Sequence, residues 1–255
     1  MAGDSLDEVL DWTEPTVLVA DLLVADADQA EVVDWLFRRR YPHKPLLAYA
    51  LHIGGMVHLA DDPSYRSTLL KSSLLYADGI GPVLVGRARG GQLGRSATTD
   101  IAPALLKRWS ASGLPPKIAL LGGPEGLARE AGEALERQGL GEVVCLQNGY
   151  QQDWDRALDE IRESEPDVLF VGMGAPREME WCARYYSQLP NCVVMTCGGW
   201  FGFLAGHETR APLWLQRTGG EWMWRLAHNP KRLGARYGRG VLVFVRALLR
   251  ATLTR

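Results

Sequence analysis

From residue 16 to about residue 200 the chain alternates short apolar runs with longer amphipathic stretches. That rhythm is expected of βαβ units, in which each strand of a mainly parallel sheet leads into a helix that covers it. The apolar runs predict strands at residues 16–24, 45–51, 74–78, 117–122, 142–147, 167–172 and 192–197. The clearest helix falls at 124–138, where Leu127, Ala131, Ala134 and Leu135 form one apolar stripe and Arg129, Glu130, Glu133, Glu136 and Arg137 face water. Another helix is expected over 175–188. The pattern predicts an α/β protein with a Rossmann-like, mainly parallel sheet flanked by helices over residues 1–206, followed by a helical appendage at 207–255. In the appendage, Pro212 and Pro230 stand where a first helical turn tolerates proline and Asn229 is suited to capping, so two or three short helices are expected.

Charge divides the chain in the same way. The net charge is only −2, yet residues 200–255 carry ten Lys or Arg against two acids, Glu208 and Glu221, while the preceding residues hold 18 basic and 28 acidic groups. A basic end on an acidic body points to an anionic partner. Trp200, Trp214, Trp222 and Trp224 lie among these cations. Trp and Arg together suit a lipid headgroup boundary, although the same residues also serve as helix packing and a solvated face. The most apolar stretch, 241–253, is shorter than the roughly 20 residues needed to span a bilayer and contains Arg246 and Arg250 one turn apart. It can lie in a membrane interface or pack on a neighbouring subunit of a homo-oligomer.

Cys145, Cys182, Cys192 and Cys197 form no CxxC pair, and the acidic N-terminus MAGDSLDEVLDW lacks the features of a secretion signal, so a cytoplasmic setting is expected. The scattered His residues and the acid pairs Asp26/Asp28 and Asp61/Asp62, beside expected helix starts, argue against a metal site.

Ligands of open α/β sheets gather at the carboxyl edge. LLGGPEG brings Gly122, Gly123 and Gly126 to one strand-to-helix turn there, and VGMGAP brings Gly172 and Gly174 to another. Glycines at such turns allow close approach of a diphosphate, or simply a tight turn. A dinucleotide fingerprint needs a further glycine where Arg177 and Glu178 stand, which counts against NAD. Asp78 ends a strand and precedes Gly79 and Gly81, a position suited to a general base at the sheet edge. Its alternative role is to cap a helix starting near Pro82, and Asp100, after Thr98 and Thr99, has the same two readings. His52 and His58 read first as core or surface histidines.

Taken together, several blocks resemble the WecG/TagA/CpsF glycosyltransferases, glycosyltransferase family 26. They are YADGIGPV, the arginine and acid of GRSATTDI, LLGGPEG, NGY at 148–150, PDVLFVGMGAPREMEW, and GGWFGFLAGHETRAPLWLQRTGGEWMWRLAHNPKRL. They follow the family's order over roughly residues 45–236, and the last two are long and specific. The resemblance implies an inverting transferase that moves a sugar from a UDP donor to a polyprenyl-diphosphate-linked saccharide, in cell-surface or exopolysaccharide synthesis. It would work at the cytoplasmic membrane face, without a cofactor or metal and with no nucleic-acid partner. It implies that Asp78 is the catalytic base and that Arg95 is the family's arginine. Arg95, Asp100, Gly122, Gly123, Tyr150, Gly172, Gly174 and Glu178 would surround the UDP donor, and Arg225, Arg232 and Arg236 would bind diphosphate as the appendage closes.

Two departures alter the expectation. The family's TPN-like block is replaced by ALH, with Ala50 and His52, so His52 is expected to take a polar role beside Asp78. The glutamine of the family's GAPKQE block is Glu178, which accepts hydrogen bonds but cannot donate when ionised. Two other readings stand beside this one: an NAD-type oxidoreductase, which leaves the basic tail unexplained, and a non-catalytic membrane-surface adaptor.

Overall fold

The computed structural model describes residues 11–217, 220–228 and 230–253, so the expectations for Asn229 and for the first ten residues lie outside the described residues. The first expected strand is in fact a hairpin, β1 (Thr16–Val19) and β2 (Leu22–Ala25), paired antiparallel with Val19 opposite Leu22. Ala20 and Asp21 form the two-residue loop with φ of 49° and 63°. Such a turn usually announces itself by Asn-Gly or Asp-Gly, and Ala-Asp gives no such signal.

Six further strands match the remaining expectations to within a residue or two: β3 (Leu46–Leu51), β4 (Leu74–Ala77), β5 (Lys117–Gly122), β6 (Glu142–Gln147), β7 (Val168–Gly172) and β8 (Val193–Thr196). They form a parallel sheet in the order β4-β3-β8-β7-β5-β6. Every carboxyl end therefore lies along one edge. The strands β3, β4, β7 and β8 are buried throughout, which is why they read as continuous apolar runs, whereas the edge strand β6 is partly exposed.

Alternate strand residues feed two cores. Ala48, Tyr76, Leu120, Phe170 and Met195 face one side, packed with α1 (Gln29–Phe37), and with residues of helices further along the chain such as Leu105, Ala131 and Trp200. On the other side Leu47, Tyr49, Leu75, Leu121 and Val194 pack with α2 (Ile53–Asp61), α3 (Tyr65–Leu69) and α4 (Ile80–Ala88). The remaining helices of the body are α5 (Thr98–Ala111), α6 (Leu127–Arg137), α7 (Trp154–Glu163), α8 (Arg177–Arg184) and α9 (Trp200–Leu204). Helix α6 starts three residues later than expected, after Gly126 at φ 88°. Helix α8 is shorter than expected and gives way to a 3-10 turn, Tyr186–Gln188. Leu189, held extended before Pro190, stops the helix there.

The C-terminal segment forms α10 (Leu213–Arg217), α11 (Glu221–His228) and α12 (Pro230–Leu253). Helix α12 has 24 residues, so it is not one of a set of short helices. It packs on α2 and α4. Gly240 allows that approach, because a Cβ there would meet Ile53 Cγ2 at 2.7 Å. Phe244, Ala247, Leu248 and the buried Ala251 continue the contact face into the second core. The opposite face leaves Leu242, Val245, Leu249 and Leu253 exposed, bordered by exposed Arg246 and Arg250. Among the described residues no helix is long and apolar enough to cross a membrane.

Candidate functional site

The carboxyl edge brings together residues far apart in sequence. Asp78 follows β4 and its N–H donates to the carbonyl of Leu51 at the end of β3, 2.8 Å away, so Asp78 stands beside His52 at adjoining strand ends. The next helix, α4, begins at Ile80 with Gly79 as its N-cap. Asp78 is therefore not the cap of a helix near Pro82, and its half-buried side chain belongs to the edge.

His52 is the N-cap of α2, and its Nδ1 accepts from the Gly55 N–H at 3.1 Å. Capping assigns the tautomer: in the neutral ring the proton sits on Nε2, which makes His52 an oriented donor. Deeper down, the Ala50 N–H donates to Thr196 Oγ1 at 3.3 Å, and Tyr76 Oη and Thr98 Oγ1 share a hydrogen bond of 2.6 Å. These bonds stitch β3, β4, β8 and the start of α5 together beneath the edge.

The glycine turns are packed against one another. A Cβ at Gly122 would lie 2.3 Å from the Gly172 carbonyl oxygen, so glycine is required there by the close approach of the ends of β5 and β7. The Gly123 N–H donates to that same oxygen at 3.1 Å, and the Gly149 N–H donates to Gly123 O at 2.8 Å. The N–H groups of Met173 and Gly174 are held by Glu178, at 3.2 and 2.9 Å. These backbone donors are thus used inside the protein, and cationic side chains are the better candidates for meeting a diphosphate.

Glu178 itself is 2% exposed and lies in the first turn of α8. Burial pushes its carboxyl up to about 7 against the opposing effect of three backbone hydrogen bonds, and the charge of Asp78 adds to the rise. Tyr150, by contrast, is exposed beyond β6, with the Arg177 guanidinium 4.8 Å from its ring centroid and also bonded to the Gly149 carbonyl.

Arg95 and Asp100 meet in an ion pair of 2.7 Å, and Asp100 also receives Arg210 Nη1 at 2.7 Å. Glu221 of α11 lies 3.8 Å from Arg95 and 3.7 Å from Arg210. Asp100 sits in the first turn of α5 but makes no cap; its carboxylate joins two arginines. This quartet ties α11 and the segment before α10 to the body. Sequence reasoning missed Arg210 and Glu221, whose only signals were the tail's basic charge and its scarcity of acids. The expectations for Arg225, Arg232 and Arg236 concern side chains outside the described residues; their backbone lies in α11 and α12.

Among the described residues no group of three or more His, Cys, Asp or Glu converges as a metal site. A groove of about 1020 Å³ lies at the opposite, amino end of the sheet, lined by Arg40, Lys117, Glu142 and Asp167, and none of the predicted site residues lines it. A smaller one of about 480 Å³ lies beyond β6 and includes Asn148 and Tyr150.

The parallel sheet with an acid, a capping histidine and paired glycine turns along its carboxyl edge defines an α/β protein with its candidate site at the strand ends. More specifically, the chain belongs to the glycosyl transferase WecG/TagA/CpsF family, whose model matches residues 17–255. It is also 31% identical over 173 residues to an N-acetylglucosaminyldiphosphoundecaprenol N-acetyl-beta-D-mannosaminyltransferase from Bacillus spizizenii. That match covers 67% of this chain and 66% of the relative, just under two thirds of the relative's length.

Proposed function

We propose that the protein is an inverting glycosyltransferase that moves a sugar from a UDP-sugar to a polyprenyl-diphosphate-linked saccharide. The observation that carries this reading is Asp78 at the carboxyl edge, directly after β4 and beside the end of β3 that leads into His52, in a chain of this family. The relative's name supports an acceptor of the diphosphoundecaprenol type. In the transfer, the acceptor oxygen attacks the anomeric carbon as the bond to UDP breaks on the opposite face. The hydroxyl proton passes to Asp78, and UDP leaves with the bonding electron pair. Arginines neutralise the charge that develops on the departing diphosphate. Arg95, Arg177 and Arg210 are the described candidates, and Arg225, Arg232 and Arg236 remain in the proposal as residues of the appendage. No metal or cofactor enters this reading.

The same proposal gives residues 1–206 the chemistry and residues 207–255 the closing and the membrane contact. The exposed apolar stripe of α12, with Arg246 and Arg250 along its border, supports shallow binding to an anionic surface on the cytoplasmic side. Its other face packs on α2 and α4, so the exposed stripe is the face left for that contact.

The test is UDP release from a panel of UDP-sugars with a synthetic polyprenyl-diphosphate N-acetylglucosamine acceptor. Asp78→Asn should lower kcat by about 10²- to 10⁴-fold, the range for a general base. Near-wild-type turnover of that variant would remove Asp78 from the role.

A further inference from the structure

Glu178 lies beneath the edge, and one of its oxygens connects two strand ends. Oε2 accepts from the N–H groups of Met173 at 3.2 Å, Gly174 at 2.9 Å and Gly198 at 3.0 Å. Met173 and Gly174 follow β7, and Gly198 follows its neighbour β8. Gly174 and Gly198 have φ of 79° and 53°, and a Cβ at either would meet nothing within 4 Å. The two turns therefore present bare backbone with room beside it, and their conformations are held from below by a single buried atom.

We propose that Glu178 is a positioning residue of the transfer site: by gathering three N–H groups on one oxygen it locks the turns after β7 and β8 into a common floor beneath the sugar of the bound donor. The inference rests on the donor reading above. It also gives the glutamate a use that direct contact with the donor sugar would not, since a side chain this buried acts through the turns it holds.

The clamp is titratable. Burial raises Glu178 to about 7, and an ionised carboxylate accepts N–H hydrogen bonds more strongly than a protonated one. The groups that act on it from the surrounding elements are Asp78 after β4, Tyr49 on β3, Tyr76 on β4, Tyr65 on α3, Cys182 on α8 and Cys197 after β8. Burial pushes each of these phenols and thiols upward, so they stay neutral near pH 7 and Asp78 is the charged neighbour. The floor is held most firmly once Glu178 has lost its proton.

Two readouts test this on the full chain. In the unliganded protein, the amide signals of Gly174 and Gly198 should shift together with one midpoint near pH 7, and the shift should vanish in Glu178→Gln. In turnover assays, Glu178→Leu should raise the donor KM by about tenfold with a smaller change in kcat, because the floor loses its acceptor. Glu178→Gln should keep the donor KM within about threefold of wild type, since its amide oxygen still accepts. Wild-type amides that do not titrate, or a leucine variant with an unchanged donor KM, would overturn the clamp. If the amides titrate as expected but no UDP-sugar binds, the clamp stands and the donor assignment fails.

Discussion

Replacing Glu178 with glutamine removes a carboxyl that is 2% exposed and keeps an oxygen able to accept from Met173, Gly174 and Gly198. The carboxyl's proton is held up to about 7 in the folded chain against an ordinary value of 4.5. At about 1.4 kcal/mol per unit, that difference corresponds to about 3 kcal/mol of folding free energy. Below pH 4.5 the group is protonated whether the chain is folded or not, and it adds no pH dependence. Between 4.5 and 7 the unfolded chain releases the proton while the folded chain keeps it, so stability falls as pH rises. Above 7 both states are ionised and the loss is complete. Urea denaturation at half-unit steps from pH 5 to 8 should therefore show wild-type stability falling relative to Glu178→Gln by most of that amount. In thermal scans the gap corresponds to a relative change of about 6–12 °C for a chain of this size. Two stability curves that run parallel across this range would refute the reasoning, because a glutamate already ionised at pH 5 cannot be a strained buried acid.

A double-mutant cycle of Asp100→Ala and Arg210→Ala should return a coupling of about 1 kcal/mol that shrinks in high salt, since both side chains keep 21% and 27% of their exposure. Additive effects at every salt concentration would mean that the quartet does not hold the appendage. Leu242→Glu on the exposed face of α12 should weaken co-sedimentation with anionic phospholipid vesicles by about tenfold or more while leaving the melting temperature unchanged. Undiminished sedimentation would remove the stripe from membrane contact. His52→Ala should cost about 1 kcal/mol through the lost cap on α2, whereas His52→Asn should retain most of that stability. Equal stability losses in urea titrations of the two variants would argue against the capping role.

The strands β3, β4, β7 and β8 were legible because a strand covered on both faces must be apolar along its whole length, as LLAYAL at β3 and VLFVG at β7 are. Asp78 was legible for a related reason: a carboxylate directly after such a run is delivered to the sheet edge by the strand's own direction. The hairpin was not, since Ala20 and Asp21 carry no turn signal of the usual kind. Asp100 was ambiguous because an acid in a first helical turn looks the same whether it caps or pairs, and its partner Arg210 lies 110 residues away.

Periodicity and composition were enough to establish the α/β class, the sheet edge to which Asp78 and the glycine turns are delivered and the cationic end of the chain, because each depends on residues close together in sequence. The helix α12 shows the limit of that information. Its apolar stretch was visible, but which face packs on α2 and α4 and which stays exposed depended on Ile53, some 190 positions earlier, meeting the gap left by Gly240. Glu178 shows the same limit at the site. Nothing local distinguishes a glutamate that faces a substrate from one folded beneath two turns. Only the adjacency of β7 and β8, which brings Gly198 to the oxygen already holding Gly174, made it an internal clamp.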